Sequence, residues 1–198
     1  MTLWALCATL LAGVLFGLTA LLFARSTHAL SAWMKQRVAY APLRPFIGGT
    51  LVALAVWALG SQRYIGLGIP VIVDAFQHQL NWHDAAGKFV FTVTSLGTGF
   101  KGGEVTPLFY IGATLGNALA PLLQLPFPLL AGIGFVAVFA GAANTPIASA
   151  VMAMELFGPA IGPYAALACV VSYLVSGHIG IYKAQMVGLA KGAGGKLL

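Results

Sequence analysis

The sequence predicts an all-α membrane protein, and three observations support that prediction. The chain has 198 residues, of which 60% are hydrophobic and only 7% are charged, and its mean hydropathy is +0.93. A soluble domain usually carries about 25% charged residues, so this chain has too little charge to cover a surface that faces water. Long apolar runs recur between breaks rich in glycine and proline. This apolar, aromatic-containing composition also excludes a disordered chain.

The apolar runs predict a series of helices, several of which are too short to cross a bilayer alone. A spanning helix needs about 20 apolar residues, and the first run, 2–23, meets that length. It contains Gly13 and Gly17 at a spacing that lets two helices approach closely. The other predicted helices cover 46–59, a short stretch after Pro70, 89–96, 107–123, 129–143, 147–157 and 164–175.

The basic residues predict which connections face the cytoplasm. The formal net charge is +6, and positive residues concentrate in the cytoplasmic segments of membrane proteins. The basic segment 25–44 contains no acidic residue and is therefore predicted to be a cytoplasmic loop. The C-terminal tail, with Lys183, Lys191 and Lys196, is placed on the same side. The whole of 1–198 is interpreted as a single transmembrane domain.

Glycine and proline breaks within the apolar sequence indicate a transport protein. Irregular backbone in hydrocarbon leaves peptide groups unpaired, so it is tolerated only where it lines a polar cavity or is buried in protein. Broken helices whose N-termini meet near mid-membrane are typical of transporters, and the positive end of a helix dipole there attracts an anion. The sequence contains no nucleophile elbow, P-loop or dinucleotide-binding fingerprint.

The strongest candidate site is the run Gly102-Gly-Glu-Val-Thr-Pro107. Glycine allows close approach of a ligand, Pro107 suits the first turn of a helix, and Thr106 can cap that helix. Free backbone N–H groups at this point would bind an anion. Glu104 is an acid in a sparsely charged stretch, where it can hold or pass a proton. The alternative is an ordinary loop-to-helix junction with a solvated glutamate.

Weaker candidates lie towards the C-terminus. Tyr182 follows His178 by four residues, and its hydroxyl can donate a hydrogen bond to an anion. The alternative role for Tyr182 is an aromatic anchor at the membrane interface. Glu155 lies one turn from a predicted helix end, where a structural hydrogen bond is expected. The run 144–146 is expected to cap a broken helix, and 66–70 to form a turn.

No metal site and no cofactor are expected. His28, His78 and His83 have no third ligand at a spacing typical of metal binding.

Two runs of the sequence resemble motifs of the CLC family of chloride channels and anion/proton antiporters. Gly103-Glu-Val-Thr-Pro107, within a longer run that starts at Lys88, is similar to the family's second anion-coordinating motif, written GxFxP. The run 176–185 is similar to the segment with the family's anion-site tyrosine, which implies that Tyr182 lies at the central site. Glu155 falls where the family has a similar glutamate. The resemblance covers essentially the whole chain and implies a CLC-type inverted-repeat fold with broken, tilted helices.

Two departures from the family pattern refine the resemblance. Chloride-type members usually carry Phe where this chain has Val105, and the form Gly-Gly-Glu-Val-Thr-Pro is similar to the fluoride/proton antiporter branch. In that branch the residues at the positions of Glu104 and Thr106 are implicated in proton-coupled fluoride handling. A CLC subunit contains two inverted repeats, and this chain resembles the second repeat plus the final helix, the C-terminal half.

The resemblance implies transport of chloride or fluoride, with proton-coupled fluoride exchange favoured, and not an enzyme. The implied anion-binding residues are Gly103, Glu104, Val105, Thr106 and Tyr182, with Glu104 as the proton-coupling residue. The implied partners are anions, protons, the lipid bilayer, a missing N-terminal half or partner subunit, and a second copy in a homodimer. The implied location is the bacterial inner membrane, crossed several times.

Three other interpretations remain open. The first is a chloride channel or exchanger of the same fold. The second is a truncated, non-transporting membrane subunit that assembles with a partner half. The third is an intramembrane enzyme, for which Glu104 and His178 are the available acid–base pair. The half-length chain is accordingly expected to be a truncated product, one half of a split transporter, or a fragment of a longer protein.

Overall fold

The computed structural model describes residues 3–182 and 185, which form helices joined by short connections. The lysines that the sequence places in the C-terminal tail, Lys183, Lys191 and Lys196, lie outside these residues. The α-helices are α1 (Leu3–Arg37), α2 (Leu43–Leu59), α3 (Ile69–Asp74), α4 (Asp84–Gly97), α5 (Val105–Leu123), α6 (Phe127–Ala143), α7 (Pro146–Phe157) and α8 (Gly162–Val175). A 3-10 turn, Pro159–Ile161, precedes α8.

The alternation of long and short helices follows the prediction from the apolar runs. Among the described residues, the helices long and apolar enough to cross a membrane are α1 and α5. By contrast, α4 and α8 have 14 residues and α7 has 12. At 1.5 Å per residue these three measure about 21 Å or less, which is shorter than a hydrocarbon core of about 30 Å. The glycine and proline breaks therefore end helices inside the apolar part of the chain.

The first helix differs from its prediction. The segment 25–44 was predicted to be a loop, but α1 continues as helix to Arg37 and only 38–42 connects it to α2. Lysine and arginine are good helix formers, and Lys35 and Arg37 stand in the last turn of α1, where positive charge complements the helix dipole. At 35 residues the helix is roughly 52 Å long. Charge thus indicates where the apolar span ends, whereas the helix itself ends later.

Helix α6 lies at the centre of the fold and contacts α1, α5, α7 and α8. Most of its residues from Leu130 onwards are buried. Its closest neighbour is α5: a Cβ added to Gly112 would overlap the backbone carbonyl of Gly134, and one added to Gly116 would overlap that of Leu130. These pairings run in opposite directions along the two helices, so α5 and α6 are antiparallel. The first residues of α5 therefore lie at the same end as the last residues of α6.

Helix α1 packs against α8 through the two glycines noted in the sequence. A Cβ added to Gly17 would stand 2.8 Å from the carbonyl oxygen of Ser172, and one added to Gly13 would stand 3.1 Å from Cβ of Val171. Small residues at this spacing allow two helix backbones to approach closely where lipid gives no hydrophobic driving force. The predicted close approach at Gly13 and Gly17 is thus present.

Candidate functional site

The N-terminus of α5 presents unpaired backbone donors. The helix begins at Val105, and its first intrahelical bond among these residues runs from the N–H of Leu108 to the carbonyl of Glu104, at 3.2 Å. The N–H groups of Val105 and Thr106 therefore lack intrahelical acceptors, whereas Pro107 has no N–H to satisfy. Together with the helix dipole, these two donors make the turn attractive to an anion.

The capping residue differs from the one predicted. Thr106 was expected to cap α5, but the N-cap position belongs to Glu104, and no side chain caps the helix. A threonine at the second helical position cannot place its hydroxyl in front of the free N–H groups as an N-cap residue does. The Glu104 carboxylate is half-buried and forms no hydrogen bond with the described residues. Both side chains are therefore left without a structural partner within the helix end.

The glycines before this turn border open space. A Cβ added to Gly102 or Gly103 would meet no atom within 4 Å, and neither residue has a positive φ. Packing and backbone strain therefore do not explain glycine at these two positions. The open space leaves room for a ligand close to the backbone.

Tyr182 is held at the same end of the fold by contacts from α1 and α6. The N–H of Ile181 donates to the carbonyl of Ala142 at 2.9 Å, and Nε2 of His28 lies 2.9 Å from the carbonyl oxygen of Gly180. Since α5 starts where α6 ends, the segment before Tyr182 and the turn at Glu104 share one end of the α5–α6 pair. The Tyr182 side chain itself is 43% exposed. Two candidate regions that are separated by almost 80 residues in the sequence therefore lie at the same end of this helix pair.

The break between α6 and α7 supports the same segment. Asn144 ends α6 in the left-handed conformation, with a φ of 57°, and Thr145 is the N-cap residue of α7. The Asn144 side chain donates to Oε1 of Gln185 at 3.2 Å, and Nε2 of Gln185 donates to the carbonyl of Ala143 at 3.0 Å. The run 144–146 therefore interrupts the helix as predicted and also contacts the residues that follow Tyr182.

A buried ion pair that was not predicted from the sequence joins the start of α4 to the connection between α2 and α3. Asp84 is fully buried at the start of α4 and accepts hydrogen bonds from Nε and Nη2 of Arg63, at 2.7 and 2.8 Å. The hydroxyl of Tyr64 also donates to Asp84, at 3.2 Å. The hydrogen bond to Asp84 raises the pKa of Arg63 above its ordinary value, so the guanidinium remains charged. This pair fixes the connection between α2 and α3 against α4.

Lys88 lies one turn beyond Asp84 on α4 and is only 2% exposed. Its ammonium donates to the carbonyls of Tyr64 and Gly66, at 3.1 and 2.6 Å, and stands 5.2 Å from the centre of the Tyr110 ring. The run 66–70 was predicted to be a turn, but only 66–68 is irregular, because Ile69 and Pro70 already belong to α3. Gly66 also supplies an acceptor for the buried cation. A lysine four residues after an aspartate is a local signal for a pair on the same helix, but it does not indicate Arg63 or the two carbonyls as the actual partners.

Two roles that were considered for acidic residues receive no support among the described residues. Glu155, for which a structural hydrogen bond was expected, is exposed on α7 and forms no hydrogen bond with the described residues. The acid–base pair of Glu104 with His178 is not formed either, because the Glu104 carboxylate contacts no described hydrogen-bonding group. The geometry therefore offers no support for an intramembrane enzyme site at these two residues.

Comparison with known proteins identifies the family. Residues 1–177 match the family described as "Voltage gated chloride channel". This chain belongs to the voltage-gated chloride channel, or CLC, family. A "Chloride/fluoride channel protein" of Pseudomonas syringae pv. tomato (strain ATCC BAA-871 / DC3000) is 68% identical to it over 195 residues. That match covers 96% of this chain and 43% of the relative, so the chain spans less than half the length of the curated relative.

Solved structures agree with the CLC fold. A crystal structure of a CLC-type fluoride/proton antiporter superposes with a TM-score of 0.89 at 35% identity, covering 92% of this chain and 47% of that one. A slow cyanobacterial Cl⁻/H⁺ antiporter superposes with a TM-score of 0.68 at 21% identity, covering 89% and 44%. The second likeness concerns the fold alone. The predicted all-α membrane fold of CLC type is therefore confirmed, and the chain is a member of a family of integral membrane transporters.

Proposed function

We propose that this chain forms the anion-binding half of a proton-coupled anion transporter, with fluoride as the preferred anion. The observation that supports it most directly is the start of α5, where two free backbone N–H groups, open space beside two glycines and an unpartnered carboxylate meet. The likeness at 35% identity to a fluoride/proton antiporter favours fluoride over chloride. The 68% identical relative is named for both ions.

The proposed mechanism assigns the anion to the end of the α5–α6 pair. The N–H groups of Val105 and Thr106 and the Tyr182 hydroxyl replace part of the hydration shell of the anion. Gly103 leaves room for it beside the backbone. Glu104 competes for the same positive helix end when it is ionised, and it leaves that position when it accepts a proton. Protonation of Glu104 and occupancy by the anion are thereby linked.

The remaining assignments are parts of the same proposal. The chain acts in the bacterial inner membrane as a multi-pass protein, in a homodimer, and not as an enzyme. The single transmembrane domain 1–198 completes its ion path with a second half, because it covers less than half of the 68% identical relative. A non-transporting subunit is not favoured by the comparisons and becomes one outcome of the first experiment.

The first experiment tests transport directly in liposomes loaded with fluoride or chloride. The chain is reconstituted alone, and in a second sample it is fused to the part of the Pseudomonas syringae relative that the match leaves out. The form that moves anions is called the reference protein in the experiments that follow. We expect fluoride flux from the fusion and none from the chain alone, with protons moving in exchange. Absence of flux from both forms would refute the proposed function, and flux from the chain alone would refute the need for a second half.

Replacement of Glu104 with glutamine tests the proton-coupling role. The substitution keeps the size of the side chain but removes its ionisable proton. We expect proton movement driven by a fluoride gradient to fall about a hundredfold, the lower end of what a positioned proton-transfer group contributes. A pH-sensitive dye and a fluoride electrode measure the two fluxes in the same vesicles.

The matched control is Glu155→Gln, the same substitution on the exposed surface of α7. It should leave both fluxes within about twofold of the reference, since exposed substitutions without partners usually change free energies by less than about 0.5 kcal/mol. Unchanged proton coupling in Glu104→Gln would remove Glu104 from the mechanism while leaving anion transport intact.

Gly180→Ala tests whether the segment before Tyr182 must be placed accurately. A Cβ at this position would stand 2.7 Å from Nδ2 of Asn144 and 3.2 Å from the carbonyl oxygen of Ala142. The end of the Asn144 side chain can turn aside, whereas the backbone carbonyl of Ala142 obliges the segment to move by a few tenths of an ångström. A misplacement of about 1 Å at a functional site can cost up to a hundredfold, so this smaller shift is expected to cost less. We expect the half-saturating fluoride concentration to rise about tenfold.

The neighbouring substitution Ile179→Ala is the control, because Ile179 is 41% exposed. It should change the half-saturating concentration by less than about twofold. Equal effects of the two variants would mean that the segment needs no defined position.

A further inference from the structure

Lys88 is a buried charge that no carboxylate of the described residues neutralises. Its neighbour Asp84 is already occupied by both nitrogens of the Arg63 guanidinium and by the Tyr64 hydroxyl. Among the described residues, Arg63 forms an ion pair with Asp84, and no ion pair includes Lys88. Arg63, Asp84 and Lys88 together therefore carry one net positive charge. A buried ion without a counter-charge is costly, so an arrangement of this kind favours uptake of an anion.

The ammonium of Lys88 has donor capacity left. It carries three N–H groups, and two acceptors are present, the carbonyls of Tyr64 and Gly66. These carbonyls hold the ammonium in place and offset part of its lost hydration, and the Tyr110 ring adds a weaker contact at 5.2 Å. One N–H group thus remains for a further acceptor.

A cavity of about 300 Å³ connects this charge to the candidate turn. Lys88, Tyr64 and Gly66 form one part of its wall, and Gly102 and Gly103 form another part next to Glu104. The space beside the two glycines is open, as shown above. An anion in this cavity would face a fixed positive charge on one side and the backbone leading to α5 on the other.

We propose that this cavity is a separate access site for a small monovalent anion, and that Lys88 supplies the charge that draws the anion into it. The site precedes the one formed by the N–H groups of Val105 and Thr106. This inference rests on the proposed function and adds a residue to it: Lys88 sets how readily the anion arrives, whereas Glu104 sets the coupling to protons. The buried position of Lys88 also keeps its charge from being screened by salt as strongly as an exposed charge.

The test replaces Lys88 with glutamine, which removes the charge but keeps a donor for the two carbonyls, and with arginine, which restores the charge. In the fluoride flux assay we expect Lys88→Gln to raise the half-saturating concentration about tenfold with little change in maximal flux. Lys88→Arg should recover most of that loss. Lys101→Gln is the matched control, because Lys101 is exposed in the loop between α4 and α5; it should change the value by less than about twofold.

The outcomes separate this inference from a structural role and from the proposed function. A structural role predicts that maximal flux and thermal stability fall together in Lys88→Gln and that the half-saturating concentration stays the same; that result would overturn the access site. An equal effect of Lys101→Gln would also overturn it, because general surface charge would then suffice. Fluoride flux by the reference protein with no change in Lys88→Gln would refute the access site alone, whereas absence of flux in the reference protein would refute the proposed function.

Discussion

Replacing Gly112 with alanine is expected to lower the free energy of unfolding of the reference protein by about 3 kcal/mol. The added Cβ would overlap the backbone carbonyl of Gly134, which cannot move aside as a side chain does. The two helices must therefore separate along their closest line of contact. Helix association in lipid depends on such close packing, because lipid supplies no hydrophobic force between helices. Gly116→Ala should act in the same way, since its Cβ would overlap the carbonyl of Leu130.

Ala58→Leu on α2 is a suitable control for these two substitutions. Ala58 is exposed, so a larger side chain there should change the free energy of unfolding by less than about 0.5 kcal/mol. Unfolding by titration with a denaturing detergent, followed by circular dichroism, measures all three variants. A loss below about 0.5 kcal/mol for Gly112→Ala would mean that α5 and α6 have room to separate. The Glu104 turn and the end of α6 would then not be fixed relative to each other.

The course of the helices could be predicted from the sequence because the relevant signals are local. Proline in the first turn marks the start of both α6 and α7, and Asn144 and Gly158 follow their last turns, so both helices were predicted nearly to their observed bounds. The length of α1 could not be predicted in the same way. Its basic residues are signals of membrane topology, and the helix continues through them because nothing breaks it before Arg37.

The candidate site also contains some features that local sequence signals predict and others that they do not. The turn at Glu104 could be predicted because glycine, glutamate and proline are adjacent in the sequence. The hydrogen bonds that hold Gly180 and Ile181 could not, because they join the segment to His28 on α1 and to Ala142 on α6. The charge cluster around Lys88 was missed for the same reason: Arg63 and Asp84 are 21 residues apart and meet only when the chain turns back after α2. Pairs of this kind depend on tertiary packing.

Asn117 forms hydrogen bonds that no neighbouring residue in the sequence predicts. It is fully buried on α5, where its side chain accepts a hydrogen bond from the N–H of Leu80 and donates to the carbonyls of Ala75 and His78. These three bonds satisfy the irregular backbone that follows α3. An asparagine within an apolar helix gives no indication in the sequence of which backbone groups it will serve.

Replacing Asp84 with asparagine is expected to lower the free energy of unfolding by about 3 kcal/mol, the lower end of the range for breaking a buried ion pair. The new side chain has nearly the same size but no charge, so Arg63 and Lys88 are left as two positive charges without a counter-charge. The lower end applies because the Arg63 side chain is 29% exposed and retains some contact with water. Asp74→Asn, the same change at a half-buried residue with no side-chain hydrogen bond to the described residues, is the matched control and should cost less than about 0.5 kcal/mol.

A double-mutant cycle shows whether charge is the cause. If the loss comes from the uncompensated guanidinium, Arg63→Gln combined with Asp84→Asn should be more stable than Asp84→Asn alone, because one of the two positive charges is then absent. We expect a coupling energy between Arg63 and Asp84 of about 1–3 kcal/mol from detergent titration of the four proteins. Strictly additive losses would mean that Asp84 acts through its packing and its bond to Tyr64. The negative charge of Asp84 would then not stabilise the positive charge of Lys88.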